Sequence, residues 1–226
     1  VVLVWFEQNA APVFRGGFLL VRAGIVPLGR TLGRMKAAAA VALLGGLLAV
    51  SVRAEAPGVA IARAAAEQIG RTLHYDPAYV RLEYPGGDVP LERGVCTDVV
   101  VRALRAAAGV DLQQRVHEDM RRHFTLYPQL WGLKGPDRNI DHRRVPNLRR
   151  YFERQGWALP VGRSPDDFQP GDLVACTVPP GLPHIMVVAE RRPPGGVPRV
   201  IHNIGQGVKE EDRLFEFPLN GHYRAR

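Results

Sequence analysis

Cys96 is one of two cysteines in 226 residues, and its neighbours give it a setting for nucleophilic chemistry. Gly94-Val95-Cys96 follows the turn-prone segment Tyr84-Pro85-Gly86-Gly87-Asp88-Val89-Pro90 and opens a helical pattern. Val99, Val100, Ala103, Leu104 and Ala107 fall on one face at helical spacing, and Gly109 supplies the stop. The sulfur is therefore expected at a helix N-terminus, where unpaired N–H groups and the positive end of the dipole favour a thiolate. A nucleophilic cysteine also needs a base and a third group that orients the base. His184 opens the strand-like run Ile185-Met186-Val187-Val188, and His202-Asn203 close the next one, Val200-Ile201. Antiparallel pairing of those runs would bring the two imidazoles within hydrogen-bonding range. The competing reading leaves His184 as a strand-end residue satisfied by backbone.

The elements that must position these groups follow from periodicity. Helices are expected at residues 57–73, from Cys96 to about Ala108, at 112–124 behind an Asp111 cap, and at 145–155 with Gly156 ending the last. Residues 79–84 read as a short extended segment and 127–142 as a long irregular stretch. From Trp157 onward the period becomes that of strands: 172–178, 184–190, 199–202 and 213–217, separated by Pro-Gly turns. Helices first and a strand meander after describe an α+β domain, with N-terminal helices packed on a small antiparallel sheet.

The whole chain carries a formal charge of +8, but its first quarter stands apart. Met35-Lys36, an apolar run over residues 37–50 and small residues at Ala54 and Ala56 describe a secretory signal peptide at 35–56. Residues 1–34 then read as a misassigned upstream extension, and 57–226 as one domain. That domain keeps 24 basic and 20 acidic side chains, a charge of +4, which does not point to nucleic acid. The apolar run is too short for a comfortable membrane span, so no stable span is expected after cleavage. Export invites a Cys96–Cys176 disulfide. Cys176, however, lies in the apolar run Leu173-Val174-Ala175-Cys176-Thr177-Val178, where a buried thiol packs as a small hydrophobe.

Tyr84-Pro85-Gly86-Gly87, Gly94-Val95-Cys96, Gln169-Pro170-Gly171-Asp172-Leu173-Val174, Pro183-His184-Ile185-Met186-Val187-Val188 and Val200-Ile201-His202 together resemble the NlpC-type cell-wall peptidases. The resemblance implies a papain-like fold with Cys96 as nucleophile, His184 as general base and acid, and His202 as orienting residue. It also implies Tyr84 as an oxyanion-stabilising group, and Asn203 remains the alternative orienter. Val95 stands where those peptidases usually carry Asp or Asn, and Thr97 replaces their usual Ser. From Tyr75 to Tyr223 the chain more specifically resembles an exported bacterial family, domain of unknown function 1287. Its pattern includes Val116-His117-Glu118-Asp119-Met120, Asn139-Ile140-Asp141-His142-Arg143-Arg144-Val145-Pro146-Asn147 and Gly221-His222-Tyr223-Arg224.

Asp98, Trp131, Asp141, His142, Arg143 and Arg144 are the substrate-binding candidates, the arginines as a clamp for a carboxylate. The competing reading of Arg143, Arg144, Arg149 and Arg150, and the preferred one, is a solvated helix surface. Tyr127 and Trp131 could wall a pocket or belong to the core. His117, Glu118 and Asp119 point in different directions on a helix and make a poor chelate. Asp137, Asn139, Asp141 and His142 lack the glycine of a calcium loop. No metal and no cofactor is expected. The expectation is an exported bacterial cysteine hydrolase of the periplasm or cell envelope, cutting an amide in peptidoglycan stem peptides. The alternatives are a non-catalytic envelope binding protein and an acyltransferase using the same residues.

Overall fold

Both faces of the central strands are covered, which is why their sequences read as apolar runs rather than alternating ones. Leu173, Ala175, Ile185, Val187 and Ile201 pack against the helices, while Val174, Cys176, Met186, Val188 and Val200 meet a second cluster with Phe168 and Leu214. The structure, a computed structural model, describes residues 56–194 and 196–226. The upstream extension and the signal segment, through residue 55, lie outside the described residues. No helix among the described residues is long and apolar enough to cross a membrane.

The architecture is α+β. Helices α1 (Pro57–Ala66), α2 (Cys96–Ala108), α3 (Leu112–His123) and α4 (Val145–Arg154) precede a six-stranded sheet. Its strands are β3 (Ala158–Leu159), β4 (Leu173–Val178), β5 (Leu182–Val188), β6 (Val200–Asn203), β7 (Val208–Glu211) and β8 (Leu219–Tyr223). Their order is β3-β8-β4-β5-β6-β7, and every pairing is antiparallel. A separate parallel pair joins β1 (His74–Tyr75) to β2 (Arg93–Gly94), immediately before α2. Asp111 caps α3 by accepting the Gln113 N–H, and Gly109 closes α2 with φ 62°.

Three expected elements change. The first helix stops at Ala66 instead of residue 73, because the chain turns through Gly70 (φ 73°) and Thr72 and Leu73 pair elsewhere. Leu73 N–H donates to Glu92 O, and the Thr72 hydroxyl to Leu91 O. Residues 79–84 form no strand. They are held instead by side chains of the irregular stretch and α3: Leu82 N–H donates to Asn139, and Gln113 Nε2 donates to Glu83 O. Residues 213–217 form a turn, with Leu214 plugged into the second cluster, and the edge strand is β7 instead. Strand β8 returns between β3 and β4, and Asp172 anchors the chain beyond it. Burial works to raise the Asp172 carboxyl, but hydrogen bonds from Arg224 and His222 outweigh it and hold it below the usual carboxylate range.

The first turn of α1 rests directly on the loop before β4. A Cβ added at Gly171 would lie 2.0 Å from Gly58 O, and Gly171 already has φ 81°. Gly70 has a similar φ of 73° but open space around it. Gly70→Ala should therefore cost about 1 kcal/mol of left-handed strain. Gly171→Ala should cost roughly 2–4 kcal/mol, because collision with backbone is added. Equal losses in chemical denaturation would refute this backbone-on-backbone contact.

Candidate functional site

The N-terminus of α2 is fixed by its own third residue. The Asp98 carboxylate accepts the Val95 N–H at 2.7 Å and the Arg143 guanidinium through two bonds of 3.0 Å. Arg143 spends its remaining reach on the Ala78 and Asp76 carbonyls, each at 3.0 Å. Thr97 completes the knot by donating its hydroxyl to Arg143 O. Asp98 and Arg143, both substrate-binding candidates, bond to each other. Their side chains are only 3% and 2% exposed, so this is a buried structural pair.

Cys96 opens the helix that this pair holds. It borders a pocket of about 180 Å³ together with Tyr75, Trp131, Arg143, Arg144 and Pro183. The backbone N–H groups of Ile185 and Thr97 favour the charged form of its sulfur. Burial nevertheless dominates and pushes the thiol up to about 12, with Asp98 adding to the rise. The expected resting thiolate is thus corrected to a thiol. A helix terminus contributes about 0.3–1 kcal/mol, up to ~2 when partly buried, too little against removal of a thiolate from water. Both cysteines are free, and Cys176 is buried in the second cluster.

His184 faces Cys176 across β4 and β5. Strands β5 and β6 pair at Val187↔Ile201 and Val188↔Val200, and beyond them the two histidines bond through their rings. His184 Nε2 and His202 Nδ1 are 2.7 Å apart, and His202 Nε2 lies 3.1 Å from Glu211 Oε2. Burial, with His202 adding to it, pushes His184 down to about 3. Burial also lowers His202, although Glu211 pulls the other way. The His184 nitrogen that could orient toward a third group is therefore engaged by His202, not by Cys96. Asn203 is committed elsewhere: its amide donates to Gly94 O at 2.9 Å and to His74 O at 3.3 Å. It pins the chain entering α2 instead of orienting an imidazole.

Tyr84 also lies away from the pocket. Its ring meets His117 edge-on at 5.3 Å, with Arg138 above it at 5.6 Å. The tyrosine beside Cys96 is Tyr75, held by the β1–β2 pairing Tyr75↔Gly94. Burial, then Cys96, pushes its phenol up to about 12, so it keeps its proton and can donate. In the sequence, Tyr75-Asp76-Pro77 signals only a helix break. Its approach to the cysteine depends on the pairing with residues 93–94, which no local pattern announces.

The remaining candidates divide by exposure. Arg144 stacks on Trp131 with its guanidinium 4.0 Å from the ring and also bonds Asp141 at 3.2 Å. Both Arg144 and Trp131 line the pocket. Asp141 and His142 are buried and do not line it. Burial pushes the Asp141 carboxyl up to about 6 and the His142 imidazole down to about 4. Tyr127 is a core residue whose hydroxyl donates to Asp119, itself paired with Arg154. Arg149 donates to Asn220 O and to the Tyr223 hydroxyl, while Arg150 pairs with Glu153 at the surface. Among the described residues, no three His, Cys, Asp or Glu side chains gather as a metal site.

Breaking the buried pair should be costly. Arg143→Leu leaves the Asp98 carboxylate unpaired and should lose about 3–5 kcal/mol in urea unfolding. Arg144→Ala removes a side chain that is 18% exposed and stacks on Trp131, and should lose less, about 1–2 kcal/mol. A stable Arg143→Leu variant would return that residue to the list of ligand-binding groups.

Acid stability has a defined sign. His184 and His142 are depressed from 6.5 to about 3 and about 4, so their contribution is whole above pH 6.5 and is lost as pH falls through these values. Asp141, raised from 3.8 to about 6, acts oppositely: its contribution is lost as pH rises through 6. The two imidazoles outweigh the one carboxyl. Stability should begin to fall below about pH 6.5, by about 1.4 kcal/mol per pH unit for each net proton. A melting temperature unchanged between pH 7 and pH 5 would contradict the burial of these rings as neutral species.

Comparison with known proteins places the chain in a family. The Uncharacterized protein YijF of Escherichia coli (strain K12) is 58% identical over 166 residues, which cover 74% of this chain and 80% of the relative. Residues 62–225 match the family described as Domain of unknown function (DUF1287), and the chain belongs to that family.

Proposed function

We propose that the protein is a cysteine hydrolase of the bacterial envelope, with an NlpC-type, papain-like arrangement, acting on an amide bond in a peptide such as a peptidoglycan stem. The observation that carries this reading is the position of Cys96. It opens a helix and borders a pocket, in the same domain as the buried His184–His202 pair. Export rests on the signal-like segment at residues 35–56.

The resting state is thiol plus neutral imidazole, so the chemistry is general-base catalysis and not attack by a standing ion pair. As the Cys96 sulfur bonds to the scissile carbonyl carbon, His184 takes the thiol proton. The carbonyl oxygen becomes an oxyanion, met by unpaired N–H groups at the start of α2 and by the Tyr75 hydroxyl. His184 returns its proton to the departing amine. Water then attacks the acyl-enzyme with His184 again as base, which releases the acid and restores the thiol. Cys96 and His184 share no hydrogen bond in the free protein, and such contacts tighten on substrate binding. Arg144, stacked on Trp131 at the pocket, suits a carboxylate-bearing peptide.

One observation favours a second reading, a non-catalytic binding protein on the same fold. Cys96 is 4% exposed, and its thiol is pushed up to about 12. Digestion of purified peptidoglycan with mass analysis of fragments decides between them. Wild type should release new fragments, Cys96→Ala none, and His184→Gln about 10²- to 10⁴-fold less. An acyltransferase would require an amine acceptor for turnover. Absence of fragments together with a Cys96 inert to iodoacetamide at pH 7 would leave only the binding reading.

A further inference from the structure

We infer that Glu211 is a positioning residue that fixes, through His202, which nitrogen of His184 is left free to act as a base. The inference rests on the proposed role of His184. It starts from the unbroken chain His184 Nε2···His202 Nδ1 at 2.7 Å and His202 Nε2···Glu211 Oε2 at 3.1 Å.

Each link constrains the next. A carboxylate only accepts hydrogen bonds, so the bond at Glu211 requires a proton on His202 Nε2. His202 is fully buried, and burial favours its neutral form. A neutral ring with its proton on Nε2 has a bare Nδ1, which can only accept. The bond of 2.7 Å then requires that His184 donate from Nε2. His184, also neutral, is left with an unprotonated Nδ1 as its one basic nitrogen. Without Glu211, nothing else bonded to the His202 ring among the described residues imposes this order. His202 could carry its proton on Nδ1 and donate toward His184, which would move the His184 proton onto Nδ1 and remove the base.

Glu211 is suited to that task by its own surroundings. It lies on β7, where Lys209 pairs with His202 across the strands. Its other oxygen, Oε1, faces Arg213 at 3.5 Å, which leaves Oε2 for the imidazole. Its side chain is 26% exposed, so the carboxylate is not stranded in the core. The sequence places Glu211 in an unremarkable run of charges, Lys209-Glu210-Glu211-Asp212-Arg213, with no sign of contact to a buried histidine.

The test is the tautomer of each ring, read from side-chain ¹H–¹⁵N correlations of the ¹⁵N-histidine-labelled protein at pH 7.5, with signals assigned from the His184→Gln and His202→Gln variants. Wild type should show both rings protonated on Nε2 and bare on Nδ1. Glu211→Ala should move His184 toward the Nδ1-protonated form, and Cys96 alkylation by iodoacetamide should slow by about tenfold or more. Glu211→Leu, which keeps bulk but not the acceptor, serves if the alanine variant does not fold. A wild-type His184 protonated on Nδ1, or tautomers unchanged by removal of Glu211, would overturn the inference. Correct tautomers with a Cys96 that never alkylates would instead overturn the cysteine chemistry and leave the hydrogen-bond order standing.

Discussion

The buried ion pair between Asp98 and Arg143 is the constraint on which the site depends. One carboxylate caps the helix that begins with Cys96 and holds a guanidinium from the far loop. That guanidinium in turn holds the Asp76 and Ala78 carbonyls, just beyond Tyr75. Three chain segments separated by tens of residues are thereby fixed around one pocket. A buried pair of this kind adds little net stability over an apolar substitute, because desolvation offsets the attraction. Its value lies in geometry: few other arrangements satisfy all its hydrogen-bonding groups at once.

Around the pair, two electrostatic tendencies compete at Cys96. The helix terminus and the N–H groups of Thr97 and Ile185 favour negative charge on sulfur, whereas burial and Asp98 oppose it. Burial prevails, and the same holds for His184. Burial thus favours the uncharged form of both the sulfur and the imidazole.

The two-sided sheet explains how a small domain supports such a polar interior. Helices cover one face of β4, β5 and β6, and a second apolar cluster covers the other. The histidine chain emerges where β5 and β6 stop pairing, with Glu211 at its outer end. On the opposite side of β4, His222 and Arg224 converge on Asp172 and secure the chain's last strand. Each buried charged group in these networks has a partner, which is the condition for keeping it away from water.

The sequence alone determined the elements whose signals are local. Gly109 after an apolar helical stripe ended α2, Asp111 capped α3, and the Pro-Gly turns separated the strands, because capping and turn chemistry act over a few residues. It likewise put Cys96 at a helix start and His184 and His202 on neighbouring strands. What only the tertiary structure decided is which side chains meet. The shortening of α1, the choice of β7 over residues 213–217, the place of Tyr75 beside the sulfur, and the mutual pairing of Asp98 and Arg143 all arise from contacts between distant segments. So does the protonation of Cys96: helix position is written in the adjacent residues, but exclusion of water is a property of everything packed around them.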